Sequence, residues 1–172
     1  CYRAHGRSDP GLCRSWHVHA ADTREAARSE LVERWDRERI AAPDQTRIIL
    51  THTNDEVREL NEAARDRMHT SNALGDDVLV KAEPGNRMFA SGDRIMFLRN
   101  ERSLEVKNGT LGTVEKVSPE HIAVRTDDGR SVAFDTKHYA HVDHGYAATI
   151  HKAQGMTVDR AHVLATPGMD RH

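Results

Sequence analysis

TRIILTHTNDEVRELNEAARDRM, residues 46–68, contains the change of period that decides the fold. Ile48, Ile49 and Leu50 form a short unbroken apolar run, the pattern of a strand covered on both faces. Thr53 then stands three residues before Glu56, a capping-box spacing, and Val57, Leu60, Ala64 and Met68 follow at helical intervals. Strand, polar turn and helix in that order make an α/β unit. Its turn, Thr51 to Asn54, falls at the carboxyl end of the strand, where open α/β sheets tend to bind ligands. The acidic pair Asp55-Glu56 resembles a Walker-B pair, but it lies beyond the strand on a helix start, where carboxylates favour the helix dipole.

Upstream, residues 1–45 begin with a loop-like segment holding Gly6, Pro10 and Gly11 and then turn helical. Asp22 precedes Glu25 at capping-box spacing, and Ala27, Leu31 and Trp35 recur every four residues. The pattern predicts a helix from there to about Ile40, ending before Pro43, with mixed charge on its solvated faces. Downstream, residues 75–137 read as β: VLVKA, GDRIMFLRN, TLGTVEKV, HIAVRT and SVAFD are separated by turn signals that include Asn108-Gly109 and Asp128-Gly129. Short strands so closely spaced predict a small barrel. Residues 138–172 return to α/β texture, with a helix-like segment ending near Gly155 and a strand in AHVLAT. The expected organisation is therefore 1–45 as loop and charged helix, 46–74 with 138–172 as one α/β domain, and 75–137 as a β insertion.

Composition narrows the function. The 172 residues are 37% hydrophobic and 30% charged, with a formal net charge of -2, so nucleic-acid binding would need a local basic patch. No run is long enough to span a membrane and the first residues lack a signal peptide's apolar core, so a cytoplasmic location and no membrane partner are expected. Cys1 and Cys13 make no disulfide framework. With His5, His17 and His19 they approach zinc-ligand spacing only loosely, and no metal is expected to bind. His138, His141 and His144 would share a face only on a helix. No glycine is followed by lysine, which excludes a complete P-loop.

GYAATIHKAQGMTVD, residues 145–159, carries the chemistry. Thr149, His151, Lys152 and Gln154 crowd six positions, threaded by Ala147, Ala148, Ile150 and Ala153. As a helix over 146–154 it has two readings: an amphipathic element with a solvated face, or a surface of short, differently directed donors. Such donors suit successive phosphates and sugars of a strand held without reading its bases. Gly155 allows a sharp turn or a close backbone approach.

ATIHKAQGMTVDRAHVL resembles motif V of the RecD-like group of superfamily 1 DNA helicases. IILTHTNDEVRELNEAAR and GDRIMFLRNERSLEVKNGTLGTVEKV resemble the helicase region of conjugative relaxase–helicases that mobilise Ti-type plasmids. The resemblance covers roughly residues 18–172 and is most specific at 145–159. It implies α/β architecture: part of a RecA-like (P-loop NTPase-like) second motor domain, with a small SH3-like β-barrel inserted ahead of motif V.

By that resemblance Thr149 and His151 would contact the backbone of single-stranded DNA, supported by Lys152 and Gln154. Thr51, Thr53 and Asn54 would shape the DNA-facing surface, and Gly155, Thr157 and Asp159 would form the turn approaching ATP. Arg94, Arg99, Arg102 and Lys107 would guide the strand, offset by Glu101 and Glu105. The implied parent is an ATP- and Mg2+-dependent helicase acting in plasmid transfer, with a first RecA-like domain as the missing partner. Walker A, Walker B and the arginine of motif VI are absent from these residues, so no catalytic residue, no tightly held cofactor and no ATP hydrolysis are expected of the chain alone. A β-barrel protein-interaction module on an α/β support, with no nucleic-acid role, is the alternative.

Overall fold

The computed structural model describes residues 20–164. Helix α1 (Ala20–Ala41) packs Leu31, Val32 and Trp35 inward, with Ala27 partly covered beside them. It is already formed at Ala20, so the Asp22–Glu25 spacing lies inside the helix and does not mark its start. The alanines at 20 and 21 are strong helix formers and extend it. Its carboxyl end comes just before Pro43 and is capped from a distance: Arg47 Nη2 donates to Ala42 O at 2.5 Å and to Glu38 O at 3.5 Å.

Strand β1 (Arg47–Thr51) follows, then helix α2 (Asn54–Thr70). Thr53 caps α2 by accepting from Glu56 N at 3.2 Å, as the spacing predicts. The reciprocal half of the box does not form, because the Glu56 carboxylate turns toward Thr51. Leu60, Ala64 and Met68 of α2 are buried and Val57 is partly so.

The β segment comprises β2 (Val78–Val80), β3 (Arg87–Phe89), β4 (Arg94–Phe97), β5 (Leu111–Ser118), β6 (His121–Thr126), β7 (Ser131–Asp135) and β8 (Val142–His144). Five of these form an antiparallel sheet in the order β7-β6-β5-β4-β8, and β2 and β3 form a separate hairpin. Sheet and hairpin share one core, to which the hairpin adds Val80 and Phe89 beside Ile95, Phe97, Val114, Ile122 and Val124. Where the sequence predicts a barrel, the described strands leave β7 and β8 as unpaired outer strands. The hairpin covers the core with side chains and does not close the sheet by hydrogen bonds.

Strands β9 (Ala147–Thr149) and β10 (Arg160–Val163) flank β1 in a parallel sheet of order β10-β1-β9. The helix expected over 146–154 is thus a strand followed by a turn. Ala147 and Ala148 are both buried and face different cores, the mark of an element covered on both sides. Strand β9 pairs with β1, the flanking bonds Ile49 N to Tyr146 O (2.9 Å) and Ile150 N to Thr51 O (2.8 Å) extend the ladder, and the Ala147 N–H on the other edge donates to Asn61 Oδ1 at 2.9 Å. In β1, Ile49 faces α1 and α2 while Ile48 joins Met96 and Leu111 of the antiparallel sheet. The apolar run of residues 48–50 is covered on both faces, as read.

A buried polar cluster joins these parts. The Asp93 carboxylate, fully buried, accepts from Arg65 Nε at 3.0 Å, Arg65 Nη2 at 2.9 Å, Ala90 N at 2.8 Å and the Tyr146 hydroxyl. Arg65 reaches on to Asp77 at 2.7 Å. Burial works against the Arg65 charge, but its bonds to Asp93 and Asp77 outweigh that and raise its pKa. Burial and the Asp93 charge push the Tyr146 phenol far above its ordinary value. The Tyr146 ring meets Trp35 edge-on with centroids 5.6 Å apart.

Asp93→Asn should cost about 3 kcal/mol, because the Arg65 guanidinium keeps its burial and loses the buried one of its two counter-charges, retaining only the more exposed Asp77. Tyr146→Phe should cost about 1–2 kcal/mol. Urea denaturation should show the double variant losing less than the sum, since both changes remove one shared interaction; simple additivity would mean the cluster does not act as a unit. A second expectation concerns His162, buried with Nε2 3.5 Å from Glu38 Oε1 but without hydrogen-bond geometry. Burial holds its pKa below the ordinary 6.5, Glu38 opposes, and Arg34, Arg47 and Arg160 add to the depression. The unfolded chain then binds the proton more readily, so stability falls as pH drops through about 6.5 and levels off below the folded-state value. His162→Gln should remove that part of the pH dependence, read as the wild-type-minus-variant difference between pH 7 and pH 5.

Candidate functional site

The carboxyl ends of parallel strands lie on one edge of a sheet, and two adjacent ones meet here. Thr149, last in β9, pairs with Thr51, last in β1. The amino end of α2 (Thr53, Asn54) and the turn 150–155 leave from these two strand ends, so Thr51, Thr53, Asn54, Thr149, His151, Lys152 and Gln154 are gathered on one edge.

Their exposure separates their roles. Thr51 is fully buried and donates Oγ1–H to Glu56 Oε1 at 2.7 Å, so its side chain has no surface for a ligand. It corrects the expectation of a surface contact: it orients the first turn of α2. Glu56 is buried as well; its Oε2 lacks a hydrogen bond among the described residues and sits 3.9 Å from Arg24 Nε, within ion-pair reach only. Thr53 and Asn54 are exposed at the head of α2, where unpaired N–H groups and the dipole favour an anion. Asp55 is exposed beside Arg58, and no cluster of His, Cys, Asp and Glu fit for a metal occurs among the described residues.

The turn is built by Thr149, whose Oγ1 accepts from Lys152 N at 3.1 Å and whose carbonyl accepts from Ala153 N at 3.0 Å. One helical turn results, and Gly155 ends it at φ +89. His151 and Gln154 are exposed at its crest. Lys152 is half-buried and its Nζ donates to Asn108 Oδ1 at 2.8 Å, which docks the turn on the Asn108-Gly109 bend of the antiparallel sheet. Asn108 escaped the sequence reading, where Asn-Gly signalled only a hairpin.

The return path lines a cleft of about 670 Å³ with Gln154, Gly155, Thr157 and Asp159 on one wall and Asn108 and Gly109 on another. Asp159 is committed internally: Oδ2 accepts from Thr46 N at 2.8 Å, and its own N–H donates to Thr46 Oγ1 at 2.9 Å. It ties the start of β10 to the start of β1, and the nearby Asp44, Glu105, Asp127 and Asp128 outweigh Lys107 and Arg130. This cleft repels a phosphate chain that comes without its cation.

Of the other basic residues, Arg94 is held by both Asp127 oxygens at 2.7 and 2.8 Å, while Arg99, Arg102 and Lys107 are exposed. His138, His141 and His144 share no helix: His138 is exposed, His141 faces Arg99 and His144 sits in β8 against Met88 O. The Cys1, His5, Cys13, His17 and His19 pattern lies outside the described residues. No helix among the described residues is long and apolar enough to cross a membrane.

Sequence reasoning also missed Asn61. Its Oδ1 accepts from both Tyr146 N (3.0 Å) and Ala147 N (2.9 Å), fixing the entry of β9 against α2. A lone polar residue inside an apolar helix face carries no signal that it is buried and bonded.

The probable conjugal transfer protein TraA of Sinorhizobium fredii is 40% identical to the chain over 174 residues, covering 99% of the chain and 15% of that protein. The ATP-dependent DNA helicase Pif1 of Bdellovibrio bacteriovorus is 25% identical over 170 residues, 90% of the chain and 33% of the helicase. The chain thus spans from about a seventh to a third of the length of these relatives. Among solved structures, the Pif1 helicase from Bacteroides in complex with ADP-AlF3 and single-stranded DNA superposes with a TM-score of 0.54 at 23% identity, over 89% of the chain and 41% of that structure. That likeness concerns the α/β fold. No family model matches the chain.

Gly155 supplies a clean test of the turn. A Cβ there would meet nothing within 4 Å, so Gly155→Ala should report backbone strain alone. A positive φ costs an L-residue roughly 1–2 kcal/mol. Chemical denaturation should register a loss of about that size, and an unchanged midpoint would mean that the turn relaxes freely.

Proposed function

The chain is a relative of one stretch of the conjugal transfer TraA proteins, and from that premise we propose that it is part of an ATP-dependent DNA motor acting in plasmid transfer. Its task is to hold the backbone of single-stranded DNA at the edge formed by turn 150–155 and the head of α2. The observation that carries the reading is the meeting of these two segments at adjacent strand ends, with His151, Gln154, Thr53 and Asn54 exposed together.

The chemistry supports it. An imidazole, amides and helix-terminal N–H groups are short donors that suit phosphate and sugar oxygens, and a Lys ammonium stands behind them. Thr149 and Thr51 act from within, the first folding the turn and the second setting the helix end. The resemblance to the RecD-like motif V fits this division, and the antiparallel sheet with its hairpin would stand for the SH3-like insertion of that group. The parent protein would bind ATP with Mg2+ between this α/β part and a further RecA-like domain, in the cytoplasm. Gly155 and Thr157 would face that nucleotide, whereas Asp159 acts by fixing β10 to β1 through Thr46. A second reading, the β part as a protein-docking module, draws on Leu79 and Met88, which pair across the hairpin and are 52% and 40% exposed.

Titrating a labelled oligothymidylate at two salt concentrations tests the proposal. Binding should weaken steeply with salt, and Lys152→Ala should lower the salt slope by about 1 while costing no more stability than its one hydrogen bond to Asn108, about 1 kcal/mol. His151→Ala should weaken binding at both salts. Absence of binding at low salt, or equal binding by both variants, would turn the reading toward the docking module.

A further inference from the structure

A second cleft, of about 450 Å³, opens between the carboxyl end of α1, the loop entering β1 and the antiparallel sheet. It lies at the amino end of β1, four residue steps or about 13 Å along the strand from Thr51. Its walls include Arg39, Arg47, Arg94 and Arg125, with Trp35 at its base. The opposing charges there are Asp44 and Asp127, and Asp127 is already held by both terminal nitrogens of Arg94.

Two residues of this cleft carry unanswered donors. Arg47 is 8% exposed, and its Nε–H finds no acceptor among the described residues. Trp35 is 2% exposed, and its indole Nε1–H likewise has none. The Arg47 guanidinium reaches only the carbonyls at the end of α1, with no carboxylate in hydrogen-bond contact. Arg39 is turned to Asp36 and Ser71, and Arg125 to Glu115. Buried donors without acceptors are rare in folded proteins, and an occupant that brings acceptors completes them. The electrostatics agree: burial draws the Arg47 pKa down, Glu38 opposes, and Arg94 and Arg39 draw it down further. Like charges gathered at one cleft are relieved by an anion between them.

We propose that this cleft binds a phosphate-type anion, with Arg47 as its principal ligand, Arg94 and Arg39 supplying further positive charge, and the Trp35 N–H as a donor. Planar guanidinium groups match phosphate oxygens bidentately, and the volume suits anything from inorganic phosphate to a mononucleotide. The site is separate from the strand-holding edge and does not depend on that reading.

Amide and side-chain N–H spectra of the full chain test it. Trp16→Phe leaves a single indole signal, that of Trp35, and the Arg47 Nε–H signal is assigned by its loss in Arg47→Gln. Millimolar inorganic phosphate should shift the Trp35 indole signal saturably, while chloride at matched ionic strength should not. Arg47→Gln should weaken phosphate binding at least tenfold. Should that variant unfold, because Arg47 also caps α1, Arg94→Gln should weaken it severalfold. A 5′-phosphorylated dinucleotide and its unphosphorylated form then distinguish the source: a shift with the phosphorylated form alone assigns the site to a strand end, and a shift with free phosphate alone assigns it to a small anion. No saturable shift with phosphate, an equal shift with chloride, or affinity unchanged in the folded variants would overturn the proposal.

Discussion

Asp93 is a carboxylate with no exposed surface, and the arrangement of the chain follows from satisfying it. A buried charge of this kind persists only when paired and hydrogen-bonded, and its partners come from three parts of the fold. Arg65 arrives from α2, Tyr146 from the segment that leads into β9, and Ala90 N–H from the loop before β4. Helix, parallel sheet and antiparallel sheet are thereby held to one another by a group that tolerates little displacement. Apolar packing alone would allow sliding; a fixed set of donors around one carboxylate does not. Gly145 shows how tight the fit is, since a Cβ there would lie 2.8 Å from the Ile95 carbonyl carbon.

The α/β character was legible because it rests on period. The spacing of Val57, Leu60, Ala64 and Met68 matches a helix, the short Ile-rich run of 48–50 before a polar turn suits a covered strand, and β5, β6 and β7 fall where alternation and turn residues put them. Residues 146–154 misled for the same reason. Alternating Ala and Ile beside polar residues fits a helix as well as a short strand, and the decision rests on a partner a hundred residues away, the open edge of β1. Local pattern has no access to that edge.

At the candidate site, residue types were legible and their commitments were not. The resemblance implies a DNA-facing position for Thr51 and Thr149 and a place for Asp159 in the turn approaching ATP. Thr51 and Asp159 are instead spent on internal bonds, to Glu56 and to Thr46, and Thr149 folds the turn through its hydroxyl. The residues that position the site, Asn61, Asp93 and Asn108, carry no motif. Asn61 sits unmarked in an apolar face, Asp93 is one polar residue within the β run GDRIMFLRN, and Asn108 reads as half of a hairpin bend. A buried polar group reveals itself only through its partners.

The two ends of β1 then acquire different characters. At the carboxyl end, the donors sit on a turn and a helix head, both exposed and both referred back to α2, one through Asn61 and the other through Thr53 and Glu56. At the amino end, the donors are buried guanidinium and indole groups in a cleft. Exposed donors suit a ligand that slides, because each contact is exchanged for water at little cost. Buried ones suit a ligand that stays, since leaving them unanswered is costly. The antiparallel sheet touches both ends, through Asn108 at one and Arg94 at the other. A displacement of that sheet would therefore reach both ends of β1, and the Asp93 cluster sets how far it can move.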